Sequence, residues 1–155
     1  MALKKLSWNG VPAQFRSQTW QLMLGFLPTN KSRRSSALTR KREEYFDSVT
    51  LYFAVSEADR TTHEGELLRQ IQVDLPRTCP DTPLFQQKPL QQAMERILYI
   101  WAIRHPASGY VQGMNDLLAP LLYICINPYT SDVLRCDVGA LDSKVLLDIE
   151  ADTYW

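Results

Sequence analysis

The chain has 155 residues, with 17 lysines and arginines set against 17 aspartates and glutamates, so its formal net charge is zero. That balance argues against a protein bound chiefly to nucleic acid or to an anionic membrane surface. An apolar share of 45% beside a charged share of 22% argues against disorder and fits one globular domain with its own core.

The elements follow in chain order. Trp8-Asn9-Gly10-Val11-Pro12 reads as a turn into a helix, since glycine permits the tight backbone and proline suits a first helical turn. From Ala13 the apolar residues Phe15, Trp20, Met23 and Leu24 recur at helical spacing until Gly25 and Pro28 stop the pattern. Residues 31–42 carry Lys31, Arg33, Arg34, Arg40, Lys41 and Arg42 with no acid among them. The first half of this run reads as an exposed, solvated loop and its end as the start of the next helix. A contact site for phosphate or an acidic partner is the sharper reading of the same charges. Glu43 to Ala54 then forms an amphipathic helix through Tyr45, Phe46, Val49, Tyr52 and Phe53.

Glu64 to Leu75 repeats the pattern with Leu67, Leu68, Ile71 and Leu75, and Pro76 discourages its continuation. Pro76, Pro80, Pro83 and Pro89 make the following stretch extended and stiff, with little regular structure. Pro89 to Arg104 is the clearest helix, with Leu90, Met94, Ile97, Leu98 and Trp101 on one face. Ser108 to Asn115 is a loop bracketed by Gly109 and Gly113, and Asp116 is placed to cap the next helix. That helix, Leu117 to Ile126, is apolar nearly all round and belongs at the centre of the core. Asn127 to Val138 reads as loops, and Asp142 to Trp155 resumes helical spacing through Val145, Leu146 and Ile149. No alternating strand pattern stands out, so the fold class is all-α. The last helix closes on Tyr154 and Trp155 without a capping glycine, which reads as a cut through a domain.

Several chemistries are disfavoured. Cys79, Cys125 and Cys136 are odd in number with no CxxC spacing, which points to a reducing compartment and against a disulfide framework. With His63 and His105 as the only histidines, no metal site is expected. The longest apolar run, Leu117 to Ile126, falls short of the roughly 20 residues that span a membrane. The first residues lack the apolar stretch of a secretory signal. Neither a GxSxG elbow nor a GxxxxGK[ST] loop is present.

What remains is a pair of unusual loops. In Ile71-Gln72-Val73-Asp74-Leu75-Pro76-Arg77, a proline ends the helix and presents Arg77 stiffly, with Asp74 close enough to orient its guanidinium. In Gly109-Tyr110-Val111-Gln112-Gly113, the glycines permit close approach of a partner and Gln112 offers both a donor and an acceptor.

These stretches resemble the TBC domain, the family of GTPase-activating proteins for Rab GTPases. Its motifs RxxxW, IxxDxxR and YxQ are similar to Arg16-Ser-Gln-Thr-Trp20, Ile71-Gln-Val-Asp74-Leu-Pro-Arg77 and Tyr110-Val-Gln112, in family order with every key letter kept. The Trp8 to Pro12 segment also resembles the family's start. The resemblance covers residues 6–155 and implies that 1–155 is the N-terminal part of an all-α TBC domain, which continues beyond 155.

By the resemblance, Arg77 and Gln112 are catalytic residues delivered in trans to a GTP-bound Rab. Arg77 offsets charge on the transferring phosphate and Gln112 positions the attacking water; such an arginine is worth about 10³–10⁵ in rate. Asp74 is then an orienting partner. Tyr110 either packs beneath its loop or touches the GTPase. Arg16, Trp20 and Ile71 serve as structural motif residues. The chain needs no cofactor of its own, because GTP and Mg²⁺ belong to the partner. It is an enzyme activator in vesicle trafficking, cytoplasmic, with recruitment to endomembrane surfaces left open. The alternative is a non-catalytic GTPase-binding or scaffold module of the same fold.

Geometry permits the two loops to meet. The Pro89 to Arg104 helix spans about 24 Å, and Thr78 to Lys88 can stretch to roughly 36 Å. The proline-rich segment can therefore run back along the helix and bring the loops together at its C-terminal end.

Overall fold

The structure, a computed structural model, describes residues 2–155. Seven α-helices follow in chain order: α1 Ala2–Leu6, α2 Ala13–Met23, α3 Arg34–Ser48, α4 Thr62–Asp74, α5 Lys88–Arg104, α6 Met114–Ile126 and α7 Ser143–Tyr154. No strand occurs among the described residues. The all-α fold class read from the sequence is therefore correct.

Helix α5 is the axle. Leu90, Ala93, Met94, Ile97, Leu98, Tyr99, Ile100 and Ala102 are all buried, so its covered surface is far wider than the single stripe its spacing predicts. Helices α4, α6 and α7 pack directly on it, and α3 packs on α7. Leu118, Ala119, Leu122, Cys125 and Ile126 of α6 join this core. Pro120 lies inside α6, in its second turn, so the Asp116 carbonyl gives up its helical N–H partner there.

Several expectations need correction. Helix α3 starts at Arg34, after a 3₁₀ turn over Lys31–Arg33, so most of the basic run is helical. Two of its charges are not simply solvated. The Lys41 ammonium lies 4.9 Å from the Phe26 ring centroid and 5.0 Å from that of Trp155. Arg42 pairs with Asp148 and Asp152 of α7, each at 2.7 Å. Burial raises the Asp152 carboxyl above its usual range, with Arg42 opposing.

The segment from Pro76 to Pro89 is not a stretched strap. Cys79 adopts φ 42°, which reverses the chain, and Thr82 N–H then donates to Cys79 O at 2.9 Å. A 3₁₀ turn over Pro83–Gln86 buries Leu84 and Phe85 completely or nearly so. Pro83 stands at the first position of this turn, where it forfeits no hydrogen bond, and seating Leu84 and Phe85 in the core favours the turn. The Gln87 side chain then secures the long loop before α7: it donates to Cys136 O at 2.7 Å and accepts from Val138 N–H at 2.8 Å.

Helix α6 begins at Met114, with Gly113 as its cap in the left-handed region at φ 97°. Asp116 lies inside the first turn, where its charge favours the helix dipole without capping it. In α2 the buried residues are Ser17 and Thr19, while Phe15, Met23 and Leu24 are exposed; the apolar stripe there does not face the core. Finally, the aromatic pair at 154 and 155 has neighbours within the chain. The Tyr154 ring lies 5.0 Å from Tyr45, and Trp155 Nε1 donates to Lys41 O at 2.8 Å.

Candidate functional site

Helix α4 delivers the first half of the site. Thr61 and Glu64 close a capping box at its start: Thr61 N–H donates to Glu64 Oε2 at 2.7 Å and Glu64 N–H to Thr61 Oγ1 at 3.3 Å. Leu67, Ile71 and Asp74 form its buried side. Ile71 is fully covered and belongs to the core beneath the turn that follows. Pro76 cannot extend the α-helix comfortably, and the chain tightens into a 3₁₀ turn over Leu75–Arg77.

Arg77 leaves this turn with its side chain 61% exposed while Asp74 beside it is buried. Arg77 Nε donates to Val73 O at 3.2 Å, and Nη2 donates to Asp74 Oδ1 in a short charge-assisted bond. The guanidinium is thus aimed from below while its remaining donors face outward.

The second half comes from the loop between α5 and α6. Tyr110 is buried, and its hydroxyl donates to Asp74 Oδ2 at 2.8 Å. Burial first, and then the Asp74 carboxylate, push the Tyr110 hydroxyl well above the usual phenol range. One carboxylate therefore holds the arginine through one oxygen and the other loop through the second. Gln112 stands two residues on, exposed. Glu66, Arg69, Gln70, Val73, Asp74, Arg77 and Gln112 line one open groove.

The two loops singled out in the sequence do meet, but not by the expected route: Gln86 Nε2 donates to Thr78 O at 3.1 Å, so the proline segment folds back on its own start instead of stretching along α5. Of the other motif residues, Arg16 and Trp20 are half-buried on α2. They do not line the groove. Among the described residues no group of three or more histidines, cysteines or carboxylates could hold a metal ion.

Two residues of the site had no role legible in the sequence. Thr78 is fully buried and Asn115 nearly so, and Asn115 Nδ2 donates to Thr78 Oγ1 at 2.8 Å. Their only sequence signal is adjacency to Arg77 and to the Gln112 loop.

The described residues form an all-helical domain in which an exposed arginine and an exposed glutamine line one open groove. The chain belongs to the Rab-GTPase-TBC domain family, whose model it matches over residues 13–142. It is 49% identical over 154 residues to TBC1 domain family member 22B of Homo sapiens, covering 99% of this chain and 30% of that protein. It is 42% identical over 159 residues to the GTPase-activating protein GYP1 of Saccharomyces cerevisiae, covering 99% of this chain and 24% of that one. The solved Ypt/Rab-GAP domain of Gyp1p superposes with a TM-score of 0.88 at 41% identity, over 99% of this chain and 48% of that chain. The chain thus spans less than a third of these full-length relatives and about half of the solved domain.

Proposed function

We propose that this chain carries the two catalytic fingers of a GTPase-activating protein, Arg77 and Gln112, which enter the nucleotide site of a GTP-bound Rab. The observation that supports this most is that Arg77 and Gln112 line one groove while Asp74 bonds to both loops at once. In this reading Arg77 neutralises charge on the phosphate oxygens as the bond to the leaving group breaks, and Gln112 orients the attacking water. GTP and Mg²⁺ arrive with the partner, so the chain contributes preorganised polar groups only. Val73 and Val111, 57% and 56% exposed, flank the two fingers and supply apolar contact that excludes water around them. The likeness to the Gyp1 proteins supports the same reading.

Single-turnover GTP hydrolysis over a panel of GTP-loaded Rabs tests it. Arg77→Ala is expected to remove stimulation by a factor on the order of 10³. Gln112→Ala is expected to cut it by about 10². Gln112→Ala should keep the wild-type melting temperature because its side chain is exposed, whereas Arg77→Ala, which takes one partner from the buried Asp74 carboxylate, should stay folded but melt somewhat lower. Equal stimulation by wild type and Arg77→Ala would sink the finger assignment and leave the non-catalytic binding module.

A further inference from the structure

Between them, four buried groups join the two finger-bearing segments, and they do so in two places. The first link, Asp74 to Tyr110 at 2.8 Å, lies before both fingers: Asp74 precedes Arg77 and Tyr110 precedes Gln112. The second link, Asn115 to Thr78 at 2.8 Å, lies after both: Thr78 follows Arg77 directly and Asn115 follows Gln112. Each finger is therefore bracketed by one link on either side. A single link leaves two segments free to pivot about it; two links fix their separation and their mutual rotation.

The chemistry of the second link is closed. Thr78 Oγ1 donates to Asp74 O at 3.3 Å, so its lone pairs are what remains for Asn115. The Asn115 amide must then turn Nδ2 toward Thr78, and its Oδ1 faces the Tyr110 hydroxyl at 3.4 Å. Thr78 O takes a further bond from Gln86 Nε2 at 3.1 Å, and Thr78 N–H donates to Leu75 O at 3.1 Å. Gly113, at φ 97°, gives the backbone the turn it needs to carry Gln112 outward and Asn115 inward within three residues. With Thr78 fully buried and Asn115 5% exposed, neither has water to replace a lost partner, so the pair is costly to break.

Resting on the function proposed above, we infer that Thr78 and Asn115 are positioning residues that set the spacing between Arg77 and Gln112. They touch neither nucleotide nor partner. Their effect passes through the two fingers, and they matter because reacting groups displaced by about 1 Å can lose 10²-fold in rate.

The test is single-turnover hydrolysis as a function of the concentration of this chain, which separates the saturating rate from the half-saturating concentration. Thr78→Val keeps the shape and removes the hydroxyl. It is expected to lower the saturating rate by about 10- to 100-fold with little change in half-saturation. Thr78→Ser restores the hydroxyl and should restore the rate. Thr78→Val and Asn115→Ala should be non-additive in combination, since either one breaks the same bond.

Hydrogen exchange of the Met114 and Asp116 amides, which donate to Val111 O and Gly113 O at 3.1 Å each, provides a readout that needs no GTPase. Both variants should lose protection there while α5 keeps its own. An unchanged saturating rate, or a serine variant as impaired as the valine variant, overturns the inference. If the wild-type chain stimulates no GTPase, the function proposed above falls. The exchange data then decide the tie alone, and unchanged protection of those amides would overturn it.

Discussion

Asp74 is the residue on which the site turns, because one buried carboxylate serves two loops. Tyr110→Phe keeps the ring and deletes one of those bonds. A hydrogen bond to a charged group is worth about 1.5–3 kcal/mol, so the variant should unfold at lower urea concentration near pH 7. The pH dependence has a definite sign. The folded-state pKa of Tyr110 is raised, by burial first and then by Asp74, so its contribution is complete below the unfolded value of about 10. It declines as pH rises past that value toward the folded pKa. Urea unfolding between about pH 8 and pH 11 should show the gap between wild type and Tyr110→Phe narrowing as the pH rises. A constant gap would mean that the hydroxyl does not depend on its protonated form. Arg77, Gln112 and Asp74 were legible as single letters because a motif is local. Thr78 and Asn115 were not, because a threonine and an asparagine acquire this role only when residues 37 apart in sequence are folded together.

Helix boundaries show the same division. The sequence pattern starts α4 at Glu64, and the structure moves the start to Thr62, behind the capping box of Thr61 and Glu64. Thr61→Ala should cost about 1 kcal/mol, measured as a shift in the urea midpoint with an unchanged slope. A Glu64→Ala background should reduce that cost, because the two caps support each other. The carboxyl of Glu64 sits below the usual carboxylate range, chiefly through the Thr61 backbone N–H. Its share of the box is therefore present at neutral pH and lost as the pH falls through that lowered value. Helix α3 was misread in the opposite sense. A run of arginines and serines looks like a solvated loop, yet arginine and lysine are good helix formers. In the fold, α7 and the aromatic rings beside Lys41 take up part of the charge. The stripe on α2 failed for a third reason: periodicity announces an amphipathic helix but not which neighbour covers it, and here Phe15 and Leu24 stay exposed.

Across the whole molecule, α3, α5 and α7 are joined by a buried polar hub. Glu150 is 1% exposed and accepts from Arg96 Nε and Nη2, both at 2.7 Å, and from the Tyr45 hydroxyl at 2.6 Å. Burial, and then the neighbouring Glu150 carboxylate, push the Tyr45 hydroxyl far above the ordinary phenol range. Removing one member of such a cluster strands the others. Glu150→Ala is therefore expected to destabilise by about 3–5 kcal/mol. By contrast, Asp132→Ala breaks the exposed pair with Arg135, 3.8 Å apart, and should change stability by less than about 1 kcal/mol. Urea denaturation of the two variants side by side checks the contrast. Comparable losses would mean that the hub does not carry the weight its burial implies. No helix is long and apolar enough to cross a membrane among the described residues.

The helical class, the apolar identity of α5 and α6, and the letters of the motifs around Arg77 and Gln112 were present in the chain order itself. Helical period, proline stops and short motifs act over a few residues and need no partner to be read. The meeting of the Arg77 and Gln112 loops, the folded connection that buries Leu84 and Phe85, and the structural use of Lys41 and Arg42 were settled only by packing. Each depends on which distant surfaces share a boundary, and burial decides that for the molecule as a unit. The neutral net charge belongs to both levels. It counts equal numbers of acids and bases, while the fold sets some of those charges against each other in buried pairs and leaves Arg77 facing outward.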